Sequence, residues 1–299
     1  MRRLLRVDMT KREAVFEEAP EKYRLLGGRA LTSRIVADEV PPTCHPLGPH
    51  NKVVFAPGLL TGTTAPSSGR LSVGGKSPLT GTIKETNAGG ITAQQLANLG
   101  IQAIIVEGER PDGNWYLLVV DEGGARLLAA PHLAGLGCYE LNQRLWAEYG
   151  QGCGVISIGP AGEMRMAIAG VSTNDSEGHP GRYAGRGGLG AVMGAKGLKA
   201  IVVKSRHIFE APVQNKEAFK EAVQRLNKAL SEHAVTGQVL PSLGTAALVN
   251  VINEAGGLPT RNFSAGRFEE ALKTGGEAMA EAVKQRGGKG VMGHTCHPG

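Results

Sequence analysis

The sequence predicts an α+β protein, in which a mixed β-sheet N-terminal domain is followed by the beginning of an all-helical domain. Short apolar runs bounded by turn residues fill the first 208 residues, and helical patterns there are few. Strands and helices do not alternate regularly, as a doubly wound parallel sheet would require. After about residue 208, apolar residues recur at helical spacing instead. We therefore predict one domain at residues 1–208 and a second, helical one that begins at residue 209 and includes residues 209–299.

Strands are predicted where short apolar runs end at turn residues. Pro111-Asp112-Gly113-Asn114 and Gly123-Gly124 are turn signals that divide three of these runs into a β-meander. The predicted strands are residues 3–8, 53–56, 101–107, 115–121, 125–128, 155–158, 166–171 and 199–203.

Helices are predicted where apolar residues repeat every three or four positions. In the first domain these are residues 93–99, 138–149 and 188–196. After a boundary near Pro212 the predicted helices are residues 219–230, 248–255 and 276–285, and Gly256-Gly257 ends the second of them. A four-residue repeat, at residues 60–63 and 79–82, is too short to indicate a duplication in a chain rich in Gly and Thr.

Glycine is unusually frequent, with 44 of 299 residues, and hydrophobic residues make up 41%. The glycines lie in polar loops without a collagen period, and such loops let backbone N–H groups approach a ligand closely. A loop-rich α+β protein without any ligand is the alternative explanation for this composition.

The charge distribution argues against a nucleic-acid partner. The net charge of +6 favours anionic ligands only weakly, and the basic residues are scattered in a chain with 4% aromatics. No stretch approaches the roughly 20 apolar residues of a membrane span. No long apolar run follows the basic N-terminus, so no signal peptide is expected. We therefore expect a cytoplasmic protein with no nucleic-acid and no membrane partner.

Three loops are rich in groups that bind anions or metals through the backbone: residues 61–70, 86–90 and 172–190. The third has the strongest case, because its glycines can form N–H nests and a helix follows it. Arg182 and Arg186 add planar forks that bind phosphate bidentately. The pattern favours a phosphorylated cofactor, although a flexible connector with solvated arginines explains it about as well.

The sequence gives little support for other kinds of binding or catalytic site. The G-x-G-x-x-G match at residues 185–190 follows a long polar loop, whereas a dinucleotide-binding motif follows a strand directly. We find no Walker A motif and no nucleophile–base pair. Asn87 precedes a glycine-containing turn, and that turn role explains it better on its own than a carbonyl contact to a hard cation such as Mg²⁺. The four cysteines form no C-x-x-C pair, so a disulfide framework is not indicated.

The ordered set of motifs resembles the tungsten-containing aldehyde:ferredoxin oxidoreductase family. Its most specific piece is residues 184–194, which are followed by residues 199–203. The other matching segments are residues 56–66, 69–70, 76–81, 87–90, 158–163, 244–246 and 262–263. Each piece alone is weak, but they occur in order and with compatible spacing from the N-terminus to the last residue.

The resemblance implies a pterin-cradling N-terminal domain, because the first domain of that family forms a saddle of β-sheets under two pterins that hold one tungsten. It implies that Arg70 contacts the pterin phosphate region. It places the backbone carbonyl of Asn87 on a Mg²⁺ ion that bridges the two phosphates, and it places Arg182 and Tyr183 in the same role. The implied cofactor-binding residues are Arg70, Asn87, Ala88, Gly89, Gly90, Arg182, Tyr183, Ala184, Gly185 and Arg186, and the implied metal-contacting residues are Asn87, Tyr183 and Cys296.

Cys296 resembles the start of the family's [4Fe–4S] ligand cluster, which needs about four ligands. An earlier cysteine of the family motif is replaced here by Gly293, which leaves the ligand set open, with His294 and His297 as alternatives. The family's acid–base residues and later pterin-binding motifs are expected beyond residue 299. No catalytic residue is therefore assigned, and we expect the chain to be a fragment that is inactive alone.

The resemblance implies an oxidoreductase that oxidises aldehydes to carboxylic acids at a bis-molybdopterin tungsten, or molybdenum, centre. Electrons would pass through the [4Fe–4S] cluster to ferredoxin or a similar acceptor. A homo-oligomer and a partner subunit both stay open. The alternatives are a stand-alone binding module for a pterin or another phosphorylated ligand, a non-catalytic subunit of a larger enzyme, and an oxidoreductase of the same fold that acts on an aromatic thioester.

Overall fold

The computed structural model describes residues 2–110, 112–208 and 211–290, and the chain divides into two compact units. The first unit extends to Pro212 but leaves out Thr64–Ser67, and the second begins at Val213 and includes Thr64–Ser67.

Two six-stranded mixed sheets and several helices form the first unit, which confirms the predicted α+β class. The first sheet has the order β2-β1-β6-β3-β4-β5, and the second has the order β11-β10-β9-β12-β7-β8. The strands are β1 (Arg3–Asp8), β2 (Glu13–Glu18), β3 (Val53–Pro57), β4 (Leu71–Lys76), β5 (Ile83–Ala88), β6 (Ile101–Glu107), β7 (Tyr116–Asp121), β8 (Gly124–Ala129), β9 (Gly154–Ser157), β10 (Val171–Thr173), β11 (Arg182–Ala184) and β12 (Leu198–Val203). The helices are α1 (Gly28–Glu39), α2 (Thr92–Asn98), α3 (Cys138–Tyr149), α4 (Pro160–Glu163) and α5 (Leu189–Ala195).

The two sheets share one topology. Each begins with an antiparallel hairpin, continues through a helix and three antiparallel strands, and ends with a strand parallel to its first strand. The first sheet comes entirely from residues 3–107 and the second from residues 116–203. The unit is therefore built from two successive copies of one arrangement. The repeat at residues 60–63 and 79–82 does not mark this duplication, because both copies lie within the first half.

The strands alternate between two apolar layers because successive side chains of a strand point to opposite faces. Phe55 of β3 faces the cluster between the sheets, which also contains Val73 and Ile201. Its neighbour Val54 faces a second cluster under α1, and an equivalent third cluster lies under α3. The main core is thus shared by the two sheets.

One predicted strand and two predicted loops were wrong in part. Only Val171 of the strand predicted at residues 166–171 lies in a strand. Arg165 has a positive φ of 56° that turns the chain, and Ile168 is 78% exposed. Residues 86–88 lie in β5 rather than in a loop, and the third predicted loop contains β11. Polar strands such as these are stabilised by their partner strands, so their composition does not reveal them.

The second unit is helical in the described residues, and the three helices predicted there are confirmed. Its helices are α6 (Lys216–Glu232), α7 (Leu240–Leu243), α8 (Leu248–Glu254) and α9 (Gly276–Gln285). The Asn215 side-chain oxygen accepts a hydrogen bond from the Ala218 amide at 2.9 Å, which caps the start of α6.

One described segment, Val235–Glu254, is 20 residues long and contains an 18-residue window of mean hydropathy 1.4, so it meets the length and composition of a membrane span, which the sequence analysis did not single out. The segment is irregular, because Pro241 lies inside it and Gly244 has a positive φ of 62°. Length and composition alone do not identify a span, since core helices of soluble proteins share both features.

Buried Lys196 makes the stability of the fold depend on pH. Its ammonium donates to the carbonyl oxygens of Gly108, Gly48 and Pro49 at 2.7, 3.0 and 3.2 Å. Burial lowers the pKa of Lys196 from 10.5 to about 8, so between these values the unfolded chain binds more protons than the folded chain. We expect this group to raise the free energy of unfolding by up to about 1.4 kcal/mol per pH unit across that window.

Denaturant titrations between pH 7 and pH 10.5 measure this slope. The Lys196→Met variant should lose the contribution of this residue, even though its absolute stability also changes. An identical slope in the variant would assign the pH dependence to other groups.

Candidate cofactor-binding site

The structure brings the second and third predicted loops together. Strands β5 and β11 are edge strands of the two sheets, and residues in and next to β5 are hydrogen-bonded to residues of β10 and of the segment after β11. The Thr173 hydroxyl donates to the Gly89 carbonyl at 2.8 Å, and the Arg186 amide donates to the Thr86 hydroxyl at 3.4 Å. Residues that are almost 100 positions apart in the sequence therefore line one edge.

Arg70 joins this edge through the register of β4 and β5. It directly precedes β4, and the pairing of Ser72 with Asn87 places the arginine beside the end of β5. Arg70 Nε donates to Asn87 Oδ1 at 2.6 Å, and its Nη2 lies 3.5 Å from the Asn87 carbonyl oxygen. The Arg70 residue is exposed, so its guanidinium is accessible to a ligand.

The glycines of the site have two different roles. A Cβ on Gly90 would lie 2.3 Å from the Asn174 carbonyl oxygen, and a Cβ on Gly188 would lie 2.1 Å from that of Ala167. These two glycines are required by packing. A Cβ on Gly89 would meet only Arg70 Nη1, at 3.9 Å, and one on Gly185 would meet nothing closer than Tyr183 Cβ at 3.7 Å. Gly89 and Gly185 thus leave open space that a ligand can occupy.

The side chains of Arg182 and Tyr183 lie on opposite faces of β11, as adjacent strand residues do. Arg182 pairs with Thr173, whose hydroxyl reaches Gly89. Tyr183 pairs with Ser172, and its hydroxyl contacts Cys138 at the start of α3. Burial, followed by the Cys138 contact, raises the pKa of Tyr183. The structure therefore does not bring the Tyr183 side chain together with Arg182, and only the Tyr183 backbone remains for the predicted role.

The duplicated topology makes the two parts of the site equivalent in backbone but not in charge. Ala88 pairs with the first residue of β4, and Ala184 pairs with the first residue of β10. Asn87-Ala88-Gly89 is therefore equivalent to Tyr183-Ala184-Gly185. The cations differ: Arg70 precedes β4 in the first half, whereas Arg182 and Arg186 lie in and after β11 in the second.

The residues at this edge fit a phosphorylated ligand. Arg70, Arg182 and Arg186 all lie here and carry guanidinium groups of the kind that binds phosphate, and two open glycines allow a ligand to approach the backbone. The described residues contain no group of three His, Cys, Asp or Glu side chains that could hold a metal ion. A Mg²⁺ ion at the Asn87 carbonyl would lie near the Arg70 cation, so it fits only with phosphate oxygens among its ligands.

One predicted residue and one missed residue remain to be placed. Cys296, the predicted cluster ligand, lies outside the described residues. Sequence reasoning missed Glu85, whose carboxylate accepts hydrogen bonds from Ser72 Oγ at 2.7 Å and from Asn87 Nδ2 at 3.4 Å. Its position two residues before Asn87 in a polar strand was the signal that could have identified it, because alternate strand residues share a face.

Two family profiles match the chain. The profile described as "Aldehyde ferredoxin oxidoreductase, N-terminal domain" matches residues 4–205, and the one described as "Aldehyde ferredoxin oxidoreductase, domains 2 & 3" matches residues 221–297. The chain is 43% identical over 283 residues to the tungsten-containing aldehyde ferredoxin oxidoreductase of Pyrococcus abyssi. It is 41% identical over 282 residues to that of Thermococcus kodakarensis. Each alignment covers 93% of this chain and 45% of the relative, so the chain spans about half the length of these relatives.

The chain is also similar, at lower identity, to proteins whose names give other substrates. A Pyrococcus furiosus protein named "Aliphatic sulfonate oxidoreductase, WOR-like subunit" is 27% identical over 220 residues, which are 68% of this chain and 34% of that protein. Among solved structures, the active-site complex BamBC of benzoyl coenzyme A reductase, bound to 1,5-dienoyl-CoA, superposes with a TM-score of 0.73 and 30% identity. That match covers 88% of this chain and 41% of the other.

Proposed function

Because the chain belongs to the aldehyde ferredoxin oxidoreductase family, we propose that it supplies the cofactor-binding part of an enzyme that oxidises aldehydes to carboxylic acids. The family is one of tungsten-containing oxidoreductases, which implies a tungsten–pterin cofactor. The observation that carries the proposal is the convergence of Arg70, Arg182 and Arg186 with the open glycines Gly89 and Gly185 at one edge of the two sheets.

The residues of this chain bind and orient, and the bound tungsten–pterin group supplies the redox chemistry. Arg70, Arg182 and Arg186 would hold the phosphate groups of the pterin cofactor through their guanidinium groups. Gly89 and Gly185 would let those groups approach the backbone closely. This fixed arrangement would orient the reactive end of the cofactor relative to an aldehyde substrate.

The proposal also includes further groups and an electron acceptor. They are a Mg²⁺ ion that Asn87 and Tyr183 would hold, a [4Fe–4S] cluster with Cys296 as one ligand, molybdenum as the alternative metal, and ferredoxin or a similar protein as electron acceptor. The names of the relatives support the tungsten and ferredoxin parts. Family resemblance alone supports the cluster and the magnesium. A cytoplasmic location, expected from the sequence, is also part of the proposal.

Intact mass and metal analysis of the native protein, purified without oxygen, test this proposal. We expect a polypeptide longer than this 31.2 kDa sequence, with tungsten, magnesium and iron bound and with aldehyde-dependent ferredoxin reduction. A metal-free native protein with no partner would overturn the proposal that the chain is part of an enzyme. A module that binds pterin or another phosphorylated ligand would then be the remaining explanation.

Removing the Arg70 guanidinium is expected to weaken phosphate binding without unfolding the protein, because the residue is exposed. The loss of a charge-assisted hydrogen-bond pair should lower the affinity for Mg²⁺-pyrophosphate roughly 10- to 100-fold in Arg70→Ala. Calorimetric titration at fixed ionic strength measures the affinity. Arg144→Ala, at an exposed arginine on α3, is the matched control and should bind like the wild type.

The structural match to benzoyl coenzyme A reductase favours a second candidate, an oxidoreductase that acts on an aromatic acyl-CoA thioester. An assay of the native enzyme with an aldehyde and with an aromatic acyl-CoA distinguishes the two. Turnover of the thioester alone would replace the aldehyde proposal, while the cofactor-binding role of this chain would be kept.

A further inference from the structure

Glu85 is a charged residue of intermediate burial whose side chain is largely shielded from solvent beside the proposed phosphate site. Its side chain is 6% exposed, and its carboxylate has three donors. Ser72 Oγ and Asn87 Nδ2 donate to Oε1 at 2.7 and 3.4 Å, and Arg29 Nε donates to Oε2 at 3.0 Å. A buried carboxylate is costly unless it is paired and hydrogen-bonded, and Glu85 meets both conditions.

The contacts of Glu85 determine which way the Asn87 side chain points. A carboxylate only accepts hydrogen bonds and a guanidinium only donates them, so the Asn87 amide must direct its nitrogen to Glu85 and its oxygen to Arg70. The reverse orientation would oppose two acceptors on one side and two donors on the other. Glu85 thereby fixes the 2.6 Å bond that holds Arg70 Nε.

With Nε bonded to Asn87, the two terminal nitrogens of the exposed Arg70 guanidinium can donate to a ligand. Nη2 lies 3.5 Å from the Asn87 carbonyl oxygen. Arg29 balances the charge of Glu85, so the carboxylate does not simply repel an anion at this edge. The second half of the duplicated fold has Gly181 at the position equivalent to Glu85, and this glycine has no side chain that could support an arginine.

We propose that Glu85 is a positioning residue, which acts through Asn87 to orient Arg70 for a phosphate group. This inference rests on the proposed function, since it assumes that the site binds a phosphorylated ligand. It means that Arg70, in the first half of the duplicated fold, owes part of its affinity for phosphate to Glu85. The second half has Gly181 at this position, so its arginines cannot be supported in the same way.

A double-mutant cycle with Mg²⁺-pyrophosphate as the probe tests this proposal. We expect Glu85→Leu to bind about 10-fold more weakly than the wild type, the size of effect seen when a supporting hydrogen-bond partner is removed. The double variant Glu85→Leu/Arg70→Ala should bind no more weakly than Arg70→Ala, because Glu85 acts only through Arg70. Glu85→Gln keeps an acceptor for Asn87 and should restore most of the affinity.

Three controls separate the outcomes. Glu140→Leu makes the same substitution at an exposed ion pair on α3 and should bind like the wild type. Thermal melts show whether a variant is folded at the temperature of the titration. If Glu85→Leu does not fold, Glu85→Asp is used instead. Its side chain is one methylene shorter, which moves the carboxylate away from Asn87, and we expect it to weaken binding by less than the 10-fold expected for Glu85→Leu.

Wild-type affinity in a folded Glu85→Leu or Glu85→Asp variant would overturn the positioning role. So would effects of Glu85 and Arg70 that multiply in the double variant, because they would then act independently. Failure of the proposed function is distinguishable: in that case the wild type would bind no pyrophosphate, or Arg70→Ala would bind as tightly as the wild type.

Discussion

Replacing Glu163 by alanine is expected to lower the free energy of unfolding by about 3–5 kcal/mol, the usual cost of leaving one charge of a buried ion pair without its partner. The partner is Lys199, whose side chain is fully buried and whose ammonium is hydrogen-bonded to Glu163 and to the Leu136 carbonyl, the latter at 2.8 Å. Both Glu163 oxygens also accept from the Gly135 amide at 3.0 Å. The substitution would leave the buried ammonium of Lys199, in β12, without a carboxylate partner.

Chemical denaturation of three variants measures this effect. Glu163→Ala should be the least stable, and Glu163→Ala/Lys199→Met should recover much of the loss, because no unpaired charge then remains. Glu140→Ala removes a carboxylate from an exposed ion pair and should change stability by less than about 0.5 kcal/mol. If the double variant were as unstable as Glu163→Ala, packing rather than charge would account for the cost.

A methyl group at residue 90 is expected to destabilise the fold by about 3 kcal/mol or more, whereas one at residue 89 should hardly affect it. Gly90 has φ of 106°, and a Cβ there would lie 2.3 Å from the Asn174 carbonyl oxygen and 3.1 Å from Thr173 Oγ1. The substitution combines an unfavourable backbone conformation with a clash against backbone that cannot move freely. At Gly89, the nearest atom would be Arg70 Nη1 at 3.9 Å.

The two alanine variants should therefore separate stability from binding. Gly90→Ala is expected to unfold at lower denaturant concentration. Gly89→Ala should unfold like the wild type, yet bind Mg²⁺-pyrophosphate more weakly, because its methyl group occupies the open space at the site. Unchanged binding in Gly89→Ala would indicate that the ligand approaches from another side.

The sequence predicted strands and helices where apolar periodicity was strong, and it failed where neighbouring strands determine structure. Strands β3, β6 and β12 consist mostly of buried apolar residues and were predicted within a few residues. Strand β2, Glu-Ala-Val-Phe-Glu-Glu, lies at a sheet edge and has a polar composition, so only its pairing with β1 reveals it. The exposed run around Ile168 is as apolar as a strand, yet no partner strand pairs with it in the part of the chain that the structure describes.

The candidate site shows the same division. Its arginines and glycines were identified from their types and from the order of the motifs. Sequence could not show that Arg70 contacts Asn87, because their proximity depends on the register of β4 and β5. It also could not separate the packing glycine Gly90 from the open glycine Gly89, since that distinction depends on the position of Asn174, far along the chain.

The duplicated topology has a consequence for how the chain acquires its structure during synthesis. All strand pairs of the first sheet form within residues 3–107, so hydrogen bonding in that sheet need not wait for the remainder of the polypeptide. Its inner face, which includes Phe55, Val73 and Ile104, is nevertheless covered only when the second sheet arrives. The nascent chain thus passes through an interval with one paired sheet and an uncovered apolar surface, and in that interval it is most exposed to aggregation.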